Sequence, residues 1–209
     1  MTAAVPKLLD WARRLQAIAQ TGVAYREPHE YDRERYEQVR HIAAEMLTAD
    51  DGDVDALDAS LAREVGHATP KVDVRGVVFD ADEILLVRDR GEGWWILPGG
   101  WADVGESPGE AVTREVLEES GYQTRAVKLL ALYDRDRHGY GHHQWHIWNA
   151  VILCKLDGAP ARELGHETDA AEFFRRDALP EPVYAEGMRK LIGRAFEHKD
   201  HPEWPTDFD

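Results

Sequence analysis

Cysteine is nearly missing from this chain of 209 residues, where Cys154 stands alone. One thiol makes neither an internal disulfide nor a multi-cysteine metal site, so any metal must be held by other donors. Positive charge is scarce as well. There are 25 Lys and Arg against 40 Asp and Glu, a formal net charge of −15 at pH 7. The deficit is spread along the chain, with −5 in residues 1–70 and −10 in the rest. Such a surface excludes duplex DNA and anionic membranes as natural partners, because each phosphate contacted needs a basic group. Long apolar runs are absent too. The longest stretch without a formal charge, 139–154, includes three His, a Gln and an Asn, and it is shorter than the roughly 20 apolar residues of a membrane-spanning helix. The opening MTAAVPKLLDWARR is broken by Lys7, Asp10, Arg13 and Arg14, unlike a signal-peptide core. These features point to the cytoplasm. What remains, at 43% hydrophobic and 31% charged residues, has the composition of an ordinary globular protein.

Two periods divide the chain. Leu8, Trp11, Ala12, Leu15, Ile18 and Ala19 recur at helical steps, predicting a helix that ends near Gly22. Tyr36, Val39, Ala43, Met46 and Leu47 predict a second helix after Pro28, and Asp53 caps a third whose stripe is Leu57, Leu61 and Val65, stopping at Gly66. After GHATPK the pattern turns to strands, first in VDVRGVVF and then in EILLVR, a hairpin about Asp80–Ala81–Asp82. The reading is α+β, with a small helical domain over 1–67 and a second domain over 68–209. Further strands are expected over 123–133, 143–154 and 170–174, and a helix over 184–198. Between the strands, Ser107, Pro108 and Glu110 form a capping box that opens a helix running to Ser120 and ending at Gly121.

That capped helix carries Glu115, Glu118 and Glu119 at i, i+3 and i+4, which places three carboxylates on one face. Such a face is ordinarily just solvated. Like charges so close raise one another's pKa and destabilise a bare helix unless a cation arrives. Mg²⁺ suits the case because it takes oxygen ligands and keeps positions for water and substrate phosphates.

The spacing is more telling than the charge. GWADVGESPGEAVTREVLEESGY places Gly100, Glu106, Arg114, Glu115, Glu118, Glu119 and Gly121 so that the segment resembles the Nudix box: Gly, five residues, Glu, seven residues, then Arg-Glu-apolar-any-Glu-Glu-any-Gly-apolar. Coincidence at so many specified positions is negligible. The one departure is Tyr122, where an aliphatic residue is usual. The resemblance implies an α/β/α sandwich with a mixed sheet, and metal-dependent hydrolysis of a nucleoside diphosphate derivative. It also implies that Glu115, Glu118, Glu119 and the Gly100 carbonyl hold Mg²⁺ or Mn²⁺, with one glutamate as base. Arg114, beside Glu106, would orient the carboxylates. Cleaving a diphosphate needs an activated water and charge neutralisation at phosphoryl oxygens, and metal held by carboxylates supplies both.

Outside the box, Glu167 lies where Nudix enzymes bring a late acidic residue, with a surface glutamate as the plain alternative. Arg135 and Arg137 follow a strand leading towards the box and either hold the diphosphate or pair with Asp134 and Asp136. His143 and His146 would alternate across a strand, which argues against a shared metal. Trp145 and Trp148 are read as core, with base stacking as the alternative. The helical N-terminus and the closing HPEWPTDFD resemble the Nudix subgroup of CDP-choline pyrophosphatase-like and ADP-ribose pyrophosphatase-like enzymes, implying a homodimer and substrate contacts from Tyr25 and Arg26. A CDP-alcohol such as CDP-choline is the substrate first expected. The alternatives are ADP-ribose or a nucleotide sugar, and a non-catalytic nucleotide-sensing regulator.

Overall fold

The structure, a computed structural model, describes residues 6–25, 29–48, 52–158 and 164–209. The chain divides into two compact units. One comprises Ala3–Pro70 with His142–His146; the other is built from Lys71–Gly141 and Ile147–Asp209.

Helices α1 (Lys7–Ala24), α2 (Glu30–Leu47) and α3 (Val54–Ala62) form the first unit. Small residues let α1 and α2 approach, with Ala12, Ala19, Ala43 and Ala44 buried. Asp53 caps α3 by accepting the Ala56 N–H at 2.9 Å, but the helix stops at Ala62, before Gly66. Arg40 ties α2 to α3 through Asp58 at 2.8 Å. Residues 142–146 also belong to this unit, where the Arg13 guanidinium donates to the carbonyls of His143 and Gln144. They are therefore not a strand, and the alternation argument for His143 and His146 does not apply.

In the second unit β1 (Lys71–Asp80), β2 (Glu83–Asp89), β3 (Trp95–Ile96), β4 (Thr124–Asp134), β5 (Ile147–Leu156), β6 (Thr168–Arg175) and β7 (Asp207–Phe208) make a mixed seven-stranded sheet. β1 runs parallel to β5 from Lys71↔Ile147 to Val78↔Cys154, while β5 is antiparallel to β4 and β2 to β6. Pleating sends alternate β1 residues to opposite faces. Val74 and Val78 share one core with Val112 and Val116 of α4 (Pro108–Ser120), whereas Val77 shares another with Met188 and Ile192 of α5 (Glu186–Asp200). This is the α/β/α sandwich expected.

α4 begins as its sequence dictates. The Ser107 side chain accepts the Glu110 N–H at 3.3 Å, Glu110 accepts the Ser107 N–H at 2.8 Å, and Gly121 closes the helix in the left-handed region. Two features escaped the sequence pattern: the 3-10 turn Arg135–His138 and the closing strand β7, parallel to β4. Trp148, read as core, is exposed on β5. Ser107→Ala should lower unfolding stability by about 1 kcal/mol, seen as a lower urea midpoint with an unchanged slope; an unchanged midpoint would mean the cap contributes nothing.

Candidate active site

The site grows from the last two turns of α4 and the loop that leads into it. Glu119 is buried, with 8% of its surface exposed. Its Oε2 accepts the Gly99 N–H at 2.8 Å. Gly99 has φ +147°, and a Cβ there would strike the Val74 backbone. At the next residue a Cβ would lie 2.9 Å from Glu115 Oε1, so Gly100 is what lets the loop pass over the glutamates. The Gly100 carbonyl accepts the Val74 N–H at 2.8 Å, which leaves it a second lone pair.

Arg114 organises the carboxylates. Its guanidinium grips Glu106 with two bonds, Nε to Oε1 at 2.8 Å and Nη2 to Oε2 at 3.0 Å. Nη1 donates to Glu115 at 2.9 Å and to Glu118 at 3.1 Å. The glutamate face is therefore not bare, as the spacing alone suggested; an internal cation already sits against it. Hydrogen bonds from Arg114 hold Glu106 below the usual carboxylate range. Burial pushes Glu115 up, opposed by Arg114 and aided by Glu118. Burial pushes Glu119 up to about 7, opposed by the Gly99 N–H and Arg75 and aided by Glu115 and Glu167.

The late loop is tied to the end of α4. Gly165 N–H donates to the Glu118 carbonyl at 2.9 Å and Thr168 Oγ1 to the Glu119 carbonyl at 2.6 Å. Glu167, exposed, thus comes close enough for its charge to be felt at Glu119. Arg135 donates to the Tyr184 hydroxyl at 2.9 Å and lines a cavity of about 190 Å³. Arg137 instead pairs with Asp134 at 3.2 Å. Tyr25 is exposed, its ring edge-on to His67 within the helical unit, and Arg26 lies outside the described residues.

The sequence reading missed Asp73 and Arg75. Arg75 donates to Asp73 Oδ2 at 3.0 and 3.2 Å and to the carbonyls of Leu97 and Gly99 at 3.3 and 2.9 Å. Burial raises the Asp73 pKa despite this partner. Their signal was two opposite charges at alternate positions of the otherwise apolar run VDVRGVVF.

Among the described residues no three acidic, His or Cys side chains form a ready metal cage. The donor set nevertheless fits a hard divalent cation: three carboxylates, one of them buried and short of positive charge, beside a glycine that leaves room. Mg²⁺ is commonly bound by one or two carboxylates with water and substrate phosphates, without an all-protein cage. Because the Glu119 pKa rises from 4.5 to about 7, its ionisation costs metal-free stability as pH climbs through that interval, by up to about 3 kcal/mol. In EDTA, Glu119→Gln should match wild type near pH 4.5 and exceed it in Tm at pH 7.5, while Mg²⁺ should stabilise wild type alone; equal Tm at both pH values would contradict the burial of an ionisable group.

Comparison with known proteins gives the family. Residues 69–194 match the family description "NUDIX domain", and residues 6–57 match "UDP-X-like, N-terminal oligomerisation domain". YjhB of Bacillus subtilis, provisionally named an ADP-ribose pyrophosphatase, is 38% identical over 97% of both chains. A crystal structure of a UDP-X diphosphatase is 31% identical, with TM-score 0.61, over 97% of this chain and 98% of that one. A Streptococcus suis ADP-ribose pyrophosphatase is 36% identical, with TM-score 0.60, over 68% of this chain and all of its own. The chain belongs to the Nudix hydrolases, with a UDP-X-like oligomerisation domain ahead of the Nudix domain.

Proposed function

We propose that this hydrolase cleaves the diphosphate of ADP-ribose or another nucleotide sugar, releasing a nucleoside monophosphate and a sugar phosphate. The observation that carries the reading is the last two turns of α4, where Arg114 gathers Glu115 and Glu118 beside a buried Glu119. The substrate follows the relatives. Their names specify ADP-ribose or a UDP derivative, so this alternative takes the place of the CDP-alcohol first expected.

Bound Mg²⁺ or Mn²⁺ supplies the positive charge that offsets the phosphoryl oxygens and makes water nucleophilic. Glu115, Glu118, Glu119 and the Gly100 carbonyl are the groups that would hold it. Arg114 acts through them, fixing two carboxylates while Glu106 anchors its far side. Glu119 or Glu167 takes the proton from the attacking water. Glu167 is free of the Arg114 grip, and its position depends on the two bonds from the 164–168 segment to α4. Arg135 is the better placed of the two candidate arginines for an anionic ligand, since it lines the cavity while Arg137 is held by Asp134.

We further read the protein as a homodimer. On α1, Leu8, Trp11 and Ile18 are 54%, 52% and 60% exposed, a stripe at helical spacing on the segment that matches an oligomerisation domain. Ile18→Asp should convert the protein to a monomer by light scattering; a dimer persisting at micromolar concentration would place the interface elsewhere.

Glu119→Gln should lower kcat for ADP-ribose in Mg²⁺ by about 100-fold or more, although the same change raises metal-free stability. Turnover surviving within a fewfold would remove Glu119 from the metal site. Substrate binding without any turnover, in the intact protein with Mg²⁺, would favour the nucleotide-sensing regulator.

A further inference from the structure

The 190 Å³ cavity that Arg135 lines is smaller than the roughly 300 Å³ and more of pockets that take drug-sized ligands. It therefore suits one ring and not a whole nucleoside. Its floor is unusual. Asp73 Oδ1, Asn149 Oδ1 and the Tyr140 hydroxyl are buried without a hydrogen-bond partner, and all three residues line this cavity. Buried polar groups normally find partners, so three orphaned atoms around one space mark a place built for a ligand's polar groups.

The arrangement says which groups. Arg75 takes Asp73 Oδ2 and leaves Oδ1 open. Asp73 and Asn149 are register partners on the parallel strands β1 and β5, so their side chains leave the same face of neighbouring strands, about 4.8 Å apart. Two acceptors side by side call for two adjacent donors. A vicinal diol on a sugar ring offers them. Among nucleobase edges only guanine places two N–H donors together; adenine, uracil and cytosine set an acceptor beside each donor. Trp94 and Tyr184 also line the cavity, with ring centroids 5.1 Å apart, and offer aromatic surface for the C–H face of a sugar. The cavity also connects to the glutamates through one residue. The Gly99 carbonyl accepts from Arg75 in the floor, and its N–H donates to Glu119.

We propose that this cavity receives the terminal sugar of the substrate, with Asp73 and Asn149 accepting from its vicinal diol and Tyr140 completing the set, which makes Asn149 a specificity-determining residue. The proposal rests on the nucleotide-sugar reading above, and the terminal sugar is favoured over the nucleoside ribose because a small cavity suits a ring attached at one end only.

The test uses Asn149→Leu, which removes both polar atoms, Asn149→Asp, which keeps an acceptor, and Tyr140→Phe, which removes one hydroxyl with little change of shape. With ADP-ribose and Mg²⁺, Asn149→Leu should raise KM about tenfold with kcat within twofold, and Asn149→Asp should restore KM to within threefold of wild type. Titrating ribose 5-phosphate, AMP and GMP, none of which holds a diphosphate to cleave, into the protein with Mg²⁺ reads the cavity without turnover. Ribose 5-phosphate should bind wild type and lose about tenfold in affinity in Asn149→Leu and in Tyr140→Phe, while AMP and GMP are unaffected by either change. No binding of ribose 5-phosphate, equal affinity in every variant, or a loss confined to AMP or to GMP would overturn the proposal, the last two assigning the cavity to the nucleoside ribose or to a guanine base. Should ribose 5-phosphate bind as expected while no substrate is hydrolysed, the hydrolytic reading fails and the cavity assignment stands.

Discussion

A carboxylate buried at the end of a helix with one backbone N–H against it is the constraint around which this site is arranged. Glu119 can be ionised there only at a cost, and burial pushes its pKa up to about 7. The Gly99 N–H answers part of its charge, and that bond requires a loop lying flat against both β1 and α4, which is why side chains are missing at Gly99 and Gly100. Arg75, rising from β1, bonds the carbonyl of the same Gly99 and adds its positive field. Sheet, loop and helix thus meet at one residue, whose N–H donates to Glu119 and whose carbonyl accepts from Arg75.

Arg114 resolves a second difficulty. Three glutamates within five residues would repel, yet one planar guanidinium reaches Glu115 and Glu118 while holding Glu106 with two bonds. Its reach leaves Glu119 out. Of the three glutamates, the one outside its grip is also the most buried, and a divalent cation would relieve it. On the proposed function, Glu119 gives up metal-free stability for metal binding, in the manner expected of active sites. The net charge of −15 gains a local meaning in the same way: the surplus of acid is unsuited to an anionic diphosphate until metal stands between them.

Local signals in the sequence carried the first half of this picture. Ser107, Pro108, Glu110 and Gly121 specify both ends of α4 through contacts within a few residues, and 3.6 residues per turn then dictates which glutamates share a face. Helices and strands with strong periods were legible for the same reason. The rest depends on partners far along the chain. Nothing near Glu119 in sequence announces Gly99, and the pairing of Asp73 with Asn149 is set by a parallel register across a crossover. Residues 143–146 carry a strand-like composition but are occupied by the Arg13 guanidinium and belong with the helices. Trp148 obeys strand alternation, and the alternation places it outside. The two charges in VDVRGVVF were visible; that they point into a cavity required the fold.

The central claim is that the α4 glutamates make the protein a metal-dependent diphosphate hydrolase acting on a nucleotide sugar. The most direct measurement is ³¹P NMR of ADP-ribose incubated with the intact protein, once with Mg²⁺ and once with EDTA. The account predicts that the diphosphate resonances give way to those of two phosphate monoesters, AMP and ribose 5-phosphate, only when Mg²⁺ is present. Unchanged diphosphate resonances in Mg²⁺ for ADP-ribose and for other nucleotide sugars, or equal turnover in EDTA, would contradict it.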